Sequence, residues 1–386
     1  MIEGKDFVVF SDDWGRCPSS CQHIFKRILS RNRVLWVDTI GLRSPQFSMY
    51  DLKRSVEKLS GWLRKKENVN DMDVSTNLTV MNPIIIPYNH IYFVREINKI
   101  ITNYQVESII KKNEFRDPVI VTTFPNAVDY MNCCDASAKV YYCVDDFVHW
   151  PGVRSDLVRQ MEDKLLVESD IVFGTSQYLC DVKKREGVSP IFLPHGVDVG
   201  HFSIANSDRH RLSDITSPRI GFFGAISEWV DLELVAYIAQ THPDWSIVMI
   251  GGHDTDVSIL QAHKNIFLSG SVPYGVLPEY AAGFDVGIIP FLVNDLTQSV
   301  NPIKLLEYLA CGLPIVSTDM PEVRRFSGQV HIASDFNDFV RCIEVALHEV
   351  TPDLVRSRKR IAADYSWESI ANQFCEHLET KLGLKC

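Results

Sequence analysis

The chain has 386 residues, 46% hydrophobic and 23% charged, with a formal net charge of -10. That length suits two globular domains rather than one core, and the acidic balance argues against broad nucleic-acid binding. Its apolar runs fall short of the eighteen residues that would suggest a membrane span.

The first ten residues, "MIEGKDFVVF", carry acids where a signal peptide needs a basic region, and read as the first strand of a cytoplasmic domain. "FSDDWGRCPSSCQHIFKRIL" (10–29) follows. There Gly15 permits a tight loop, and a helix is expected from about Ser20. Asp13 and Trp14, with Asp12, are candidates to meet a sugar acceptor, the indole stacking on its apolar face, or are ordinary loop residues. "LKRSVEKLSGWLRKK" (52–66) sets Leu52, Val56, Leu59 and Leu63 at helical spacing among six Lys or Arg. It is a surface helix with a solvated basic face or a peripheral foot on the inner face of an anionic membrane.

Strands are expected at 7–10, 33–38, 83–87, 118–123, 139–144, 170–174 and 190–194, then at 219–224, 246–251, 265–270, 285–291 and 314–319. Most are continuous apolar runs, which implies parallel sheets covered on both faces. The polar stretch 205–218 reads as a linker, so residues 1–204 are an acceptor-binding domain and 219–365 a donor-binding domain. Two Rossmann-like, doubly wound α/β sheets follow, with ligands beyond the carboxyl ends of their strands. The terminal segment 366–386 is a helix returning to the first domain, with Trp367, Ile370, Phe374 and Leu378 on one stripe. Ten cysteines lack metal-ligand spacing and read as reduced thiols.

"NPIKLLEYLACGLPIVSTD" (301–319) carries the most chemistry. A helix headed by Pro302 puts Lys304 and Glu307 on one face. Its amide-rich start, from Val300 through Asn301 and Ile303, is an anion site. Lys304 adds a charge there, and Glu307 can accept two hydroxyls. A diphosphate followed by a ribose satisfies both; a plain surface pair is the alternative.

This stretch resembles the donor signature of GT-B glycosyltransferases, in the bacterial polysaccharide and teichuronic-acid group. Further blocks are similar in order: "LPHGVD" (193–198), 220–251, 268–291 and "SWESIANQF" (366–374). The resemblance implies two facing Rossmann-like domains with a crossover helix. It implies transfer from a nucleoside-diphosphate sugar, UDP-linked, to a glycan or lipid-linked glycan hydroxyl. Gly224 and Ala225 would approach the diphosphate, Val272 and Tyr274 would frame the base, Lys304 would offset charge, and Glu307 would hold the ribose. Two departures stand out. Ser299 occupies the place of a glutamate found in many retaining members, and "GAISEWVD" (224–231) lacks their Arg and Lys.

An inverting enzyme needs a base from the first domain. "AKVYYCVDDFVHW" (138–150) resembles the strand that delivers the aspartate of xanthan-type glucuronosyltransferases. That alignment makes Asp145 the base, with Asp146 a helix cap or acceptor contact and His149 a second candidate. His195 is a substrate ligand or hinge structure. No metal and no other cofactor are expected. A retaining transferase using Asp295 or backbone groups, a nucleotide-sugar epimerase and a non-catalytic sugar-nucleotide-binding subunit remain as alternatives.

Overall fold

In the computed structural model the apolar runs become two parallel sheets; the structure describes residues 1–16, 18–38, 76–86, 88–150, 152–203 and 210–384. The basic stretch 52–66 and part of the expected linker, 205–209, lie outside the described residues. The chain divides into two compact units: residues 1–174, 183–191 and 371–386, and residues 175–182 and 192–370. The second unit therefore begins before residue 204 and includes a short excursion at Thr175–Val182.

The first sheet has strands β1 (Asp6–Phe10), β2 (Arg33–Val37), β3 (Leu78–Met81), β4 (Val119–Thr122), β5 (Ala138–Cys143), β6 (Ile171–Gly174) and β7 (Ile191–Phe192). They are ordered β3-β2-β1-β4-β5-β6-β7. The central strands are buried along their whole length, Val8, Val9, Ile120 and Val121 having no exposed surface, which is why they lack polar alternation.

Of the run 83–87, the described residues 83–86 do not form the strand expected of them; the strand is Leu78–Met81, at the sheet edge. Pro83 interrupts the ladder, and the next amides bond to side chains. Ile84 N–H donates to Gln105 Oε1 at 3.2 Å, and Ile86 N–H to Asn98 Oδ1 at 2.7 Å. Those acceptors sit on the helix Tyr92–Lys112, which buries Asn98 and Thr102. Phe93, Ile97, Ile100 and Tyr104, at helical spacing, are 78%, 45%, 68% and 74% exposed. No helix among the described residues is long and apolar enough to cross a membrane.

The second sheet has β8 (Arg219–Phe223), β9 (Ser246–Ile250), β10 (Ile266–Leu268), β11 (Val286–Ile289), β12 (Ile315–Thr318) and β13 (Val330–Ala333). The order is β10-β9-β8-β11-β12-β13, parallel throughout. Sequence reading missed β13; its "VHIA" is half-buried and mixes a histidine into a four-residue run, so it lacks the apolar continuity of its neighbours.

The last helix, Trp367–Lys381, starts in the second unit and ends in the first. In the second unit Trp367 lies so close over Gly196 that a Cβ there would sit 2.7 Å from the indole. In the first, Phe374 packs against Phe25 and Phe173.

Candidate functional site

In the second unit, the helix Ile303–Cys311 follows Pro302 as its N-cap residue and ends at Gly312, whose φ of +80° suits glycine. Leu305, Leu306, Tyr308 and Leu309 bury its inner face, and the Tyr308 hydroxyl accepts from Phe223 N–H at 3.3 Å, fixing the helix against β8. The N–H groups of Ile303 and Lys304 head the first turn, where a helix has no internal acceptors. Val300, expected among these donors, instead gives its N–H to Thr297 O at 3.2 Å.

The Lys304 ammonium lies 4.5 Å from the Phe291 ring centroid and 5.2 Å from that of Phe222. No ion pair or hydrogen bond holds it among the described residues. Burial pushes this lysine down, to about 8, against the pull of Glu307. Burial pushes Glu307 up, to about 7, against the pull of Lys304. The two groups are thus buried together one helical turn apart, each shifted by burial and opposed by the other.

Beside the ammonium runs the turn after β8. Gly224, with φ +134°, is so near that a Cβ there would stand 3.3 Å from Lys304 Nζ. Its carbonyl rests on Gly251, where a Cβ would come within 1.8 Å of Gly224 O. Gly251→Ala is expected to displace that turn, destabilising the fold by about 2 kcal/mol or more. Denaturant unfolding measures the effect, and unchanged stability would contradict the contact.

Tyr274 opens a short 3₁₀ turn. Its ring stacks on His201 at 4.6 Å, and its carbonyl meets His201 Nε2 at 3.0 Å. Burial, and then the Glu307 and Asp198 carboxylates, push its phenol up. Val272 packs on the core nearby and Ala225 is exposed. Ser299 and Asn301 are occupied structurally: Ser299 Oγ donates to Leu296 O at 2.9 Å, and Asn301 Nδ2 to Thr175 O at 2.8 Å. His195 is buried, and burial holds its imidazole down at about 4, so it is neutral near pH 7.

In the first unit, Asp145 stands two residues beyond β5. Its Oδ1 accepts from Asp146 N–H and its Oδ2 from Trp150 Nε1–H, each at 2.8 Å. Burial pushes the carboxyl above 3.8 against both bonds. The neighbouring Asp146 charge raises it further, by less than burial does.

Asp146 is buried and leads the 3₁₀ turn Phe147–His149 without a side-chain capping bond. Its Oδ1 accepts from Lys183 Nζ at 2.9 Å, and His149 Nε2 lies 3.7 Å from its Oδ2. Lys183 also donates to Glu162 Oε2 at 2.8 Å, while Tyr141 hydroxyl donates to Glu162 Oε1 at 2.8 Å.

Elsewhere in that unit, Trp14 meets Trp36 edge-on at 4.7 Å, and its backbone N–H donates to Asp38 Oδ1 at 2.9 Å. Gly15 takes φ +75° and donates to Gln22 Oε1 at 3.0 Å, while Asp13 lies 3.4 Å from Arg16. Among the described residues, no cluster of three or more His, Cys, Asp or Glu side chains is arranged to hold a metal ion.

Residues 217–349 match the family model described as glycosyl transferases group 1. Over 239 residues the chain is 26% identical to TuaH of Bacillus subtilis (strain 168), named for teichuronic acid biosynthesis glycosyltransferase. That alignment takes in 58% of this chain and about 60% of that relative's length. Among solved structures, HepE of Anabaena in complex with UDP matches with TM-score 0.67 and 14% identity, over 98% of this chain and 100% of that one. A trehalose-6-phosphate protein of E. coli bound with UDP-2-fluoro glucose matches with TM-score 0.66 and 10% identity, over 97% and 99%. The fold is GT-B. The match to the glycosyl transferases group 1 model lies within the second unit.

Within this GT-B chain the second unit brings Gly224, Lys304, Glu307 and Tyr274 into one neighbourhood. Sequence reasoning missed Phe222, Phe291, Gly251 and His201 there, and Glu162, Lys183 and Tyr141 in the first unit. Phe222 and Phe291 were legible as aromatics on or just beyond the neighbouring strands β8 and β11. A lysine 37 positions from its aspartate leaves no local pattern.

Proposed function

We propose that the chain transfers a sugar from a UDP-linked donor to a hydroxyl of a glycan or lipid-linked glycan. The second unit takes the donor and the first the acceptor. The observation that carries this is Lys304: a partly desolvated ammonium beside a glycine turn, at a helix start, one turn before a buried glutamate. Such a set suits a diphosphate and the adjoining ribose diol. HepE, a solved neighbour, is seen with UDP and glucose, which supports a uridine donor.

In this reading the acceptor oxygen attacks the anomeric carbon, the bond to diphosphate breaks, and Asp145 takes the hydroxyl proton. The anomeric centre inverts. Lys304 and the helix amides carry charge that a divalent cation carries elsewhere, so transfer persists in EDTA. The test is a thermal-shift screen of UDP-, GDP- and dTDP-sugars, followed by transfer assays and NMR of the product anomer. A retained configuration, or no stabilisation by any UDP-sugar, overturns the corresponding part.

Contact with a lipid surface is a second part of the proposal, favoured by the exposed stripe Phe93, Ile97, Ile100 and Tyr104. The protein is expected to float with anionic liposomes, and Phe93→Ser with Tyr104→Ser to reduce flotation several-fold. Equal flotation of the double variant would move the contact elsewhere.

A further inference from the structure

Resting on the reading of Asp145 as base, we propose that Lys183 is a positioning residue that holds the base loop and sets the pH range in which Asp145 works. The connection is continuous. Glu162 belongs to the helix Ser155–Glu168 and is held from β5 by the Tyr141 hydroxyl. Lys183 bonds Glu162 and Asp146 at 2.8 and 2.9 Å, and the backbone N–H of Asp146 holds Asp145 Oδ1. The last link is therefore a peptide group whose place depends on the ammonium.

Stability alone gives a weak reason for this arrangement. Lys183, Asp146 and Glu162 are all under 9% exposed, and one cation between two carboxylates leaves a net negative charge in the interior. Buried ionic clusters of this kind are often no more stable than apolar packing, whereas they do fix one geometry. Burial pulls the Lys183 ammonium down, but Glu162, Cys143 and Asp146 outweigh it and keep it charged.

Several charged and titratable groups surround this loop, of which Asp146 and Lys183 act on the Asp145 carboxyl itself. Asp146 and His149 lie on its own loop, Cys143 and Tyr141 on β5, Glu162 on the helix, and Lys183 beyond. Lys183 favours the ionised carboxylate and Asp146 opposes it. Removing the ammonium therefore shifts the acid limb of activity to higher pH, and removing the Glu162 charge shifts it to lower pH. A merely structural lysine would not give opposite shifts.

The full chain is tested as Lys183→Met, Lys183→Arg and Glu162→Gln. Lys183→Met is expected to lower kcat on the order of 10- to 100-fold, with donor KM within about twofold and the acid limb raised. Lys183→Arg should recover most of the loss. A folded Lys183→Met with normal kcat and an unmoved limb overturns the proposal. Should that variant fail to fold, Glu162→Gln decides: a lowered limb with reduced kcat supports it, and a wild-type profile overturns it. Asp145→Asn separates the two readings. If it turns over normally, the base assignment fails; if it is inactive while Lys183→Met is normal, only the present inference fails.

Discussion

Lys304→Ala is expected to weaken UDP binding and to lower kcat/KM roughly 100- to 1,000-fold, the scale on which one preorganised charge acts on a leaving group. The reason lies in what the ammonium lacks. It rests over Phe222 and Phe291 beside the Gly224 turn, and burial lowers its proton affinity. A diphosphate would supply the counter-charge that Glu307, itself drawn toward neutrality, provides only in part. Lys304→Met keeps much of the stem over the rings, so a loss shared by both variants belongs to the charge. Calorimetric titration with UDP and steady-state turnover read the two effects. Unaltered UDP affinity in both variants would remove the donor site from this helix.

Asp145→Asn is expected to abolish transfer, by about 10³-fold or more, while UDP affinity stays at the wild-type level. The amide keeps an acceptor oxygen for Trp150 or for the Asp146 N–H but accepts no proton. In the wild type, burial raises the carboxyl above 3.8, and only its ionised form could take a proton. Activity should therefore fall as pH drops through that raised value, giving an acid limb above the ordinary aspartate range. Turnover of the asparagine variant near the wild-type rate would dismiss Asp145. A pH–rate profile flat down to pH 4 would dismiss the raised carboxyl.

These two residues differ in how they could be read beforehand. Lys304 and Glu307 announce themselves locally, through a proline-headed apolar helix with two charges on one face, and the structure puts that helix where periodicity places it, at Ile303–Cys311. Asp145 is legible as an acid just after a buried strand, because continuous apolar runs mark parallel strands and acids at their carboxyl ends stand out. What surrounds them is not local. Gly251 matters because Gly224 O lies against it, and Lys183 because it reaches Asp146 and Glu162 from far along the chain. Misreadings have the same source. Ile84 and Ile86 look like strand residues until Gln105 and Asn98 are seen to bind their amides. Neither the Asn301–Thr175 nor the Ser299–Leu296 hydrogen bond leaves a local pattern to read.

The division into units has a consequence for the chain's birth. Residues 371–386 belong to the first unit, and Phe374 lies against Phe25 and Phe173. The first unit, begun at residue 1, thus cannot complete its apolar packing until the segment around Phe374 has been made. Truncation before residue 371 should therefore harm the part of the molecule farthest from the cut in sequence.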